Sequence, residues 1–407
     1  MHTGTAIVGG GIGSLRTAEA LRSNGYSEPI CIVSDEAHPP YDRPALSKSV
    51  LVGDRAPMDT FYRTPQYFDE LGVHMLTGVR ATGVDIAQKR LETAEGPIAF
   101  DKLVIATGAR VRSLPQLPEL EGIHVLRTLG DAARLRHDLL GGPKVVIIGA
   151  GFIGCEVASS AAELGLDVTM LEAGPSVLSR VLGDHAGRTV MRMHQENGTS
   201  VRCGRSVAHF EGEGRVERVR CFDGTVVDAD VVVIGIGVVP NAEWLANSGI
   251  RIDGGVICDE SLHAGHPDIY AIGDVASWPN MLADSRMRCE QWTNAVDQAR
   301  HVARSIAGTA DSARPFLGSG YFWSDQCGTK IQSVGTTIGE SAISLIDEPE
   351  ARHLVVAYRR AGRIVGAVTI GDPRAIMRLK GLVERRATWQ AVHDSFGEGV
   401  TGAPTSP

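Results

Sequence analysis

Two stretches of the chain repeat one pattern of apolar and polar positions. Thr5 to Asp35 (TAIVGGGIGSLRTAEALRSNGYSEPICIVSD) opens on an apolar run, crosses a cluster of glycines, and returns to an apolar run that ends on an acid. Lys144 to Glu172 (KVVIIGAGFIGCEVASSAAELGLDVTMLE) does the same about 140 residues later. In the first, Leu15, Ala18 and Leu21 fall at helical spacing, and Gly25 suits the position after a helix end. In the second, Val157, Ala161 and Leu164 mark the buried face and Gly165 the stop. Each repeat predicts strand, glycine turn, helix and second strand, the βαβ arrangement of a parallel sheet.

Elsewhere the chain is punctuated rather than periodic. His38 to Lys48 (HPPYDRPALSK) is proline-rich and reads as a loop. Lys102 to Ala106 predicts a short strand ending in Thr107-Gly108, and Ser113 to Pro118 a linker out of the first domain. Val231 to Asn241 (VVVIGIGVVPN) closes the inserted segment, and Ile269 to Asp274 (IYAIGD) predicts a further strand of the first domain. Beyond about Tyr321, apolar runs at Ala342 to Ile346, His353 to Tyr358 and Ile364 to Ile370 predict a small mixed sheet with terminal helices. The expected class is α/β, with two Rossmann-like dinucleotide-binding domains plus a small C-terminal α+β domain. Its boundaries read as 1–112 with 241–318 for a discontinuous first domain, 113–240 for the second and 319–407 for the last.

Gly149-Ala150-Gly151-Phe152-Ile153-Gly154 is a complete GxGxxG between strand and helix. Its first glycine permits the tight turn, its second lets a pyrophosphate approach, and its third lets helix lie on strand. The helix start then offers the phosphates free N–H groups and a positive dipole end. Glu172, ending the second strand, suits a ribose 2′-hydroxyl and repels a 2′-phosphate, which favours NADH. No arginine stands among Ala173 to Ser176, although Arg180 follows closely. The first copy, Gly9-Gly10-Gly11-Ile12-Gly13-Ser14, carries serine at the third position, small enough for close packing. Asp35 is its ribose acid, with Glu36 a neighbouring rival. Two dinucleotide folds imply two dinucleotides, a resident FAD and a visiting nicotinamide nucleotide, because hydride transfer needs donor and acceptor in contact.

Composition narrows the reading. A net charge of -8 over 407 residues argues against a nucleic-acid partner, which needs a basic surface. The seven cysteines are scattered without CxxC or metal-ligand spacing, so reduced thiols, a cytoplasmic chain and no metal site are expected. The longest apolar run, Val231 to Val239, is about half of what a membrane span needs, so no membrane association is expected. The first apolar run leads straight into a glycine turn, which argues against a secretory leader.

Six segments together carry a family resemblance: PYDRPALSK (Pro40 to Lys48), DKLVIATG (Asp101 to Gly108), GFIGCE (Gly151 to Glu156), GIGVVPN (Gly235 to Asn241), IYAIGDVA (Ile269 to Ala276) and FWSDQ (Phe322 to Gln326). Over nearly its whole length the chain resembles the FAD-dependent ferredoxin reductases that serve bacterial cytochrome P450s and Rieske-type ring-hydroxylating oxygenases, within the glutathione-reductase-like fold. The resemblance implies hydride transfer from NADH to FAD, then single electrons to a small 2Fe-2S ferredoxin. It implies that Asp274 binds the FAD ribityl chain and Arg43 lies near the FAD phosphates or adenine, with Ala81, Thr107 and Gly108 flanking that dinucleotide. It implies that Lys48 sits by the flavin and pairs with Glu156 where the nicotinamide stacks. Trp323 is implied to lie near the isoalloxazine ring, and Trp292 to open a helix that approaches the flavin. Ile153, Gly235 and Gly237 join the NAD side, and Lys48, Glu156 and Trp323 are the implied catalytic residues. The chain departs from the family pattern at Ala45 for a usual proline, Cys155 for leucine and Cys327 for an aromatic.

Missing sulfur separates relatives. Disulfide reductases of this fold carry CxxxxC in or just after the first unit, where this chain has Tyr41 to Lys48. Cys31 falls inside an apolar strand and reads as packing. Two alternatives stay open, an NADH oxidase or disulfide reductase relative and a redox-dependent binding flavoprotein. The expected assembly is a monomer or weak homodimer. Between Ala351 and Gln390 nine Lys or Arg face two acids, and Arg378, Lys380, Arg385 and Arg386 form a candidate face for an acidic ferredoxin.

Overall fold

The computed structural model describes residues 1–115, 117–309, 314–339 and 341–397. Gln116 in the expected linker, and residues 398–407 of the expected last domain, lie outside the described residues. The chain divides into two compact units. One comprises Met1–Asp42, Phe61–Arg110 and Val239–Tyr321; the other comprises Arg43–Thr60, Val111–Val238 and the chain from Phe322.

The first unit opens with strand His2–Val8, helix Ile12–Ser23 and strand Ile30–Val33. Its central sheet runs His263–His266, Ile269–Ala271, Ile98–Ile105, His2–Val8, Ile30–Val33, Val73–Leu76, and every pair but the first is parallel. Ala6, Ile7, Ile32 and Val104 are fully enclosed, as strands covered on both faces require. The strand expected from Lys102 begins earlier, at Ile98, because Ile98 and Phe100 are buried in alternation with the more exposed Ala99 and Asp101. Helix Ile12–Ser23 buries Leu15, Ala18 and Leu21 and packs on helix Trp292–Ile306. Gly25, at φ 79, ends it while the Tyr26 N–H bonds Leu21 O at 3.0 Å.

In the second unit a parallel sheet runs Ser200–Cys203, Asp167–Glu172, Lys144–Ile148, Val231–Ile234, Ile123–His124. Helix Phe152–Glu163 buries Val157 and Ala161, and Gly165 repeats the left-handed cap at φ 76. The C-terminal sheet, ordered Phe322–Gln326, Thr329–Gly335, Arg363–Ile370, His353–Arg360, Ser341–Glu348, is antiparallel throughout rather than mixed. The tight turns Cys327-Gly328 and Ala361-Gly362 have φ above zero at every position, and such turns join only antiparallel neighbours. Helix Pro373–Glu384 starts on Asp372, whose carboxylate accepts the Arg374 and Ala375 N–H groups, and packs on that sheet. No helix among the described residues is long and apolar enough to cross a membrane.

Candidate active site

The second glycine turn has the geometry of a phosphate cradle. A side chain at Gly149 (φ 93) would meet Gly235 O at 2.5 Å, and one at Gly154 would meet Gly149 O at 2.1 Å. At Gly151 the nearest atom would be 3.8 Å away, which leaves an opening where a pyrophosphate must approach. Helix Phe152–Glu163 starts there without a side-chain cap, so its first N–H groups remain for a ligand. Ile153, in that first turn, is exposed. Glu172 is buried, with Oε2 accepting the Ala150 N–H at 2.7 Å and Oε1 the Gly174 N–H at 2.6 Å. These bonds fix the carboxylate across the turn and leave lone pairs for ribose hydroxyls. Arg205 lies at the same strand end but is ion-paired with Asp223 at 2.7 Å. Gly235 donates to Ile148 O at 2.8 Å, and Gly237 (φ 99) accepts the Arg112 N–H. These residues fit a nicotinamide dinucleotide.

The first turn repeats the cradle with differences. A side chain at Gly9 (φ 133) would meet Ala106 O at 2.1 Å, one at Gly13 would touch Ile272 at 3.4 Å, and one at Gly11 would meet nothing within 4 Å. Helix Ile12–Ser23 begins on Gly11 without a side-chain cap. Ser14 Oγ is enclosed and has no hydrogen-bond partner among the described residues. An uncapped helix start beside the open position at Gly11 is what a bound pyrophosphate requires, so the residues fit FAD. The acids fall in different registers. Gly9 N–H bonds Val33 O as Gly149 N–H bonds Leu171 O, both at 2.8 Å, so Ser34 stands where Glu172 stands. Asp35 follows, exposed and ion-paired with Arg80 at 3.3 Å, and Glu36 accepts the Tyr41 hydroxyl.

Around this turn Thr107 Oγ1 donates to Asn241 O at 2.7 Å and the Asn241 N–H to Gly108 O at 2.9 Å. Ala81 opens strand Ala81–Asp85. Asp274 lies in the 3-10 turn Gly273–Val275, where the Gly273 N–H donates to Gln298 Oε1 at 2.7 Å. Trp292 starts its helix and donates from Nε1 to Tyr62 Oη at 2.7 Å, while the Tyr62 hydroxyl donates to Asp42 at 3.1 Å. Sequence reasoning passed over Tyr62, which nothing but its aromatic ring singles out.

In the second unit Lys48 and Glu156 do meet, Nζ to Oε1 at 2.6 Å. Glu156 is 5% exposed, and a charge so enclosed stands only with close donors. Ser47 Oγ donates to Oε2 and Ser324 Oγ to Oε1, each at 2.5 Å. Ser160 Oγ, one turn along the same helix, donates to Ser47 O at 2.6 Å and ties the Lys48 segment down. Phe322, Ser324 and Gln326 alternate along their strand toward the helix, and the Phe322 ring lies 4.1 Å from that of Phe152. Trp323 alternates to the other face, half-buried. Arg43 donates to Arg127 O at 2.8 Å. Ser47 and Ser324 escaped sequence reasoning; the alternation within FWSDQ and adjacency to Lys48 were the available signals.

None of the seven cysteines forms a disulfide. Burial pushes the Cys31 thiol up to about 11 and the Cys258 thiol up to about 12, and it raises Cys155, Cys203, Cys221, Cys289 and Cys327 as well. Thiolate chemistry at neutral pH is therefore disfavoured at every one. No cluster suited to a metal ion occurs among the described residues.

Two nucleotide cradles, a buried carboxylate–lysine pair and no reactive thiol define an oxidoreductase that handles two dinucleotides. The chain belongs to the pyridine nucleotide-disulphide oxidoreductase family, whose model matches residues 3–299, followed by a reductase C-terminal region at 321–394. It is 36% identical to rhodocoxin reductase of Rhodococcus erythropolis, over 93% of this chain and 88% of the relative. It is also 36% identical to the ferredoxin–NAD(+) reductase subunit of the benzene 1,2-dioxygenase system of Pseudomonas putida, over 94% and 93% of the two chains. The putidaredoxin reductase in its covalent complex with putidaredoxin matches with a TM-score of 0.90 at 31% identity, over 94% and 93% of the chains.

Proposed function

We infer that the protein is an NADH-dependent, FAD-containing ferredoxin reductase whose ferredoxin serves a cytochrome P450 or a ring-hydroxylating dioxygenase. The observation that carries this reading is the pair of phosphate cradles in a chain whose seven thiols are all suppressed by burial. The named relatives, each covered over most of its length, support it. FAD, when bound, accepts electrons as a hydride pair and releases them singly, which suits an iron–sulfur acceptor. Gly11 and its helix start hold the FAD pyrophosphate, with Asp35 toward a ribose, Asp274 toward the ribityl chain and Trp292 toward the ring. Gly149, Gly151, Gly154 and Glu172 hold NADH. Glu156 fixes Lys48 so that its ammonium orders the nicotinamide, and Trp323 serves the flavin side. The division into FAD-binding, NAD-binding and C-terminal domains, and a cytoplasmic location, belong to the same proposal.

The test is ferredoxin-dependent cytochrome c reduction with NADH, before and after alkylation of accessible thiols. Turnover that needs ferredoxin and survives alkylation is expected. NADH oxidation that proceeds with disulfides or oxygen, and not with any ferredoxin, overturns the reading.

A further inference from the structure

Behind Glu156 the polar contacts continue, away from Lys48. Ser324 Oγ, which donates to Glu156, accepts a bond from Gln326 Nε2 at 2.9 Å. Gln326 Oε1 meets His194 Nε2 at 3.1 Å, and His194 Nδ1 meets the Cys327 thiol at 3.6 Å. Ser324 and His194 are fully enclosed, Gln326 is 1% exposed and Cys327 8%. At such depth bulk solvent does not compete for these groups, and a donor left without its acceptor is costly.

The chemistry of these groups permits one direction. Burial lowers the His194 pKa, so the ring is neutral and carries a single N–H. The Cys327 thiol donates to Nδ1, which puts that proton on Nε2, facing Gln326 Oε1. With its oxygen so engaged, the Gln326 amide turns its NH2 group to Ser324. The serine's one proton is then left for Glu156. A flipped amide would take that proton and deprive a buried carboxylate of a donor. Bonds running in one sense polarise one another in a low dielectric, so the last link is stronger than an isolated one.

We propose that His194 and Gln326 are positioning residues for hydride transfer: through Ser324 they hold the Glu156 carboxylate, and with it Lys48, in the geometry that orders the nicotinamide. The proposal rests on the role given above to Lys48 and Glu156. Cys327, a departure from the family pattern, gains a function as the donor that sets the histidine tautomer. Its own place is fixed: its N–H donates to Ser159 Oγ and its carbonyl accepts Arg352 Nη1, both at 2.8 Å.

The experiment uses the full-length, FAD-loaded protein. In anaerobic stopped-flow reduction by NADH, Gln326→Leu and His194→Leu lower the limiting rate about tenfold, with less than about a twofold change in NADH dissociation constant. His194→Gln, which keeps an N–H toward Gln326, restores most of that rate. Ser324→Ala combined with Gln326→Leu is no slower than the worse single variant, because both break one chain. Independently of activity, the histidine-labelled protein's 15N spectrum shows His194 protonated at Nε2 and bare at Nδ1, the signal being assigned by its loss in His194→Gln. An Nδ1-protonated ring, additive losses, or full-rate reduction in both leucine variants overturns the proposal. Should the leucine variants fail to fold, Ser324→Ala, His194→Gln and the spectrum decide alone. If Glu156→Ala reduces FAD at full rate, the role of Glu156 falls and the positioning with it. If Glu156→Ala is slow while the leucine variants are fast, the positioning alone falls.

Discussion

Nucleotide choice is the sharpest consequence of the second glycine turn, and Glu172→Gln is the perturbation that isolates it. The Glu172 carboxylate is 9% exposed and held by the Ala150 and Gly174 N–H groups, so it cannot swing away from a 2′-phosphate. Two unit charges 4 Å apart repel by about 4 kcal/mol at an effective dielectric near 20. If half of that survives relaxation and counterions at the rim, about 2 kcal/mol remains, roughly a thirtyfold preference for NADH. Glutamine removes the charge and keeps one carbonyl for one of the two N–H groups. The kcat/KM for NADPH should rise about tenfold, while that for NADH falls about tenfold as a charge-assisted bond of about 1.5 kcal/mol is lost. Both are measured with a dye acceptor at fixed ionic strength, since screening changes the repulsion. Equal use of the two nucleotides by the unmodified protein, or an unchanged ratio in Glu172→Gln, refutes the reasoning.

Lys48→Met, which keeps the stem and drops the ammonium, should slow anaerobic flavin reduction about a hundredfold without loss of bound FAD; an unchanged rate returns Lys48 to a structural role. Ferredoxin turnover should fall as salt rises past about 0.1 M, where charges beyond ~10 Å are screened. Within the basic segment Arg378 lies over Phe396 at 5.2 Å and Lys380 pairs with Glu384 at 2.5 Å, whereas Arg374 and Arg385 are exposed on one side of their helix. Charge reversal at Arg374 and Arg385 should therefore raise the KM for ferredoxin several-fold and spare dye reduction; no change in either salt or variant series places the docking surface elsewhere. The Asp372 bond, at 3.0 Å, raises the His353 pKa, with Glu348 adding to it. Its stabilisation is complete below the unfolded value near 6.5 and is lost as pH rises through the raised folded value. Thermal melting should weaken over that window, and His353→Asn should flatten the slope; an identical slope in the variant excludes His353 as its source.

The glycine turns were legible because everything they need is local. Strand, turn, helix and cap lie within about 30 residues, and the apolar spacing states which face is buried. The pairing direction of the C-terminal sheet was not, since its hairpins turn on Cys327 at φ 49 and Ala361 at φ 48, a left-handed conformation that neither residue type announces. The surroundings of Glu156 were legible only at Lys48. Ser47, His194 and the strand that carries Ser324 and Gln326 come from three separate segments, and no periodicity links segments that meet only after helix, loop and strand have packed. Their common trait is polarity at a buried position, and burial is a property of the fold.

The two turns share an ancestry of pattern and differ where their tasks differ. At the register place where Glu172 stands beside Ala150, the first turn has Ser34, whose hydroxyl lies so close to Gly10 that a side chain there would meet it at 2.1 Å. The first turn's acid, Asp35, stands one residue further on, exposed to solvent and to Arg80. A nucleotide that must be told from its 2′-phosphorylated form at every turnover calls for a fixed, buried charge, because an exposed one is screened. A dinucleotide that stays in place meets no such rival between turnovers. The turns differ again at the third position, where Gly154 has no room for a side chain and Ser14 carries one that is fully enclosed. A fixed charge that discriminates at each encounter suits a cradle that exchanges its nucleotide, and an exposed one suits a cradle that keeps it.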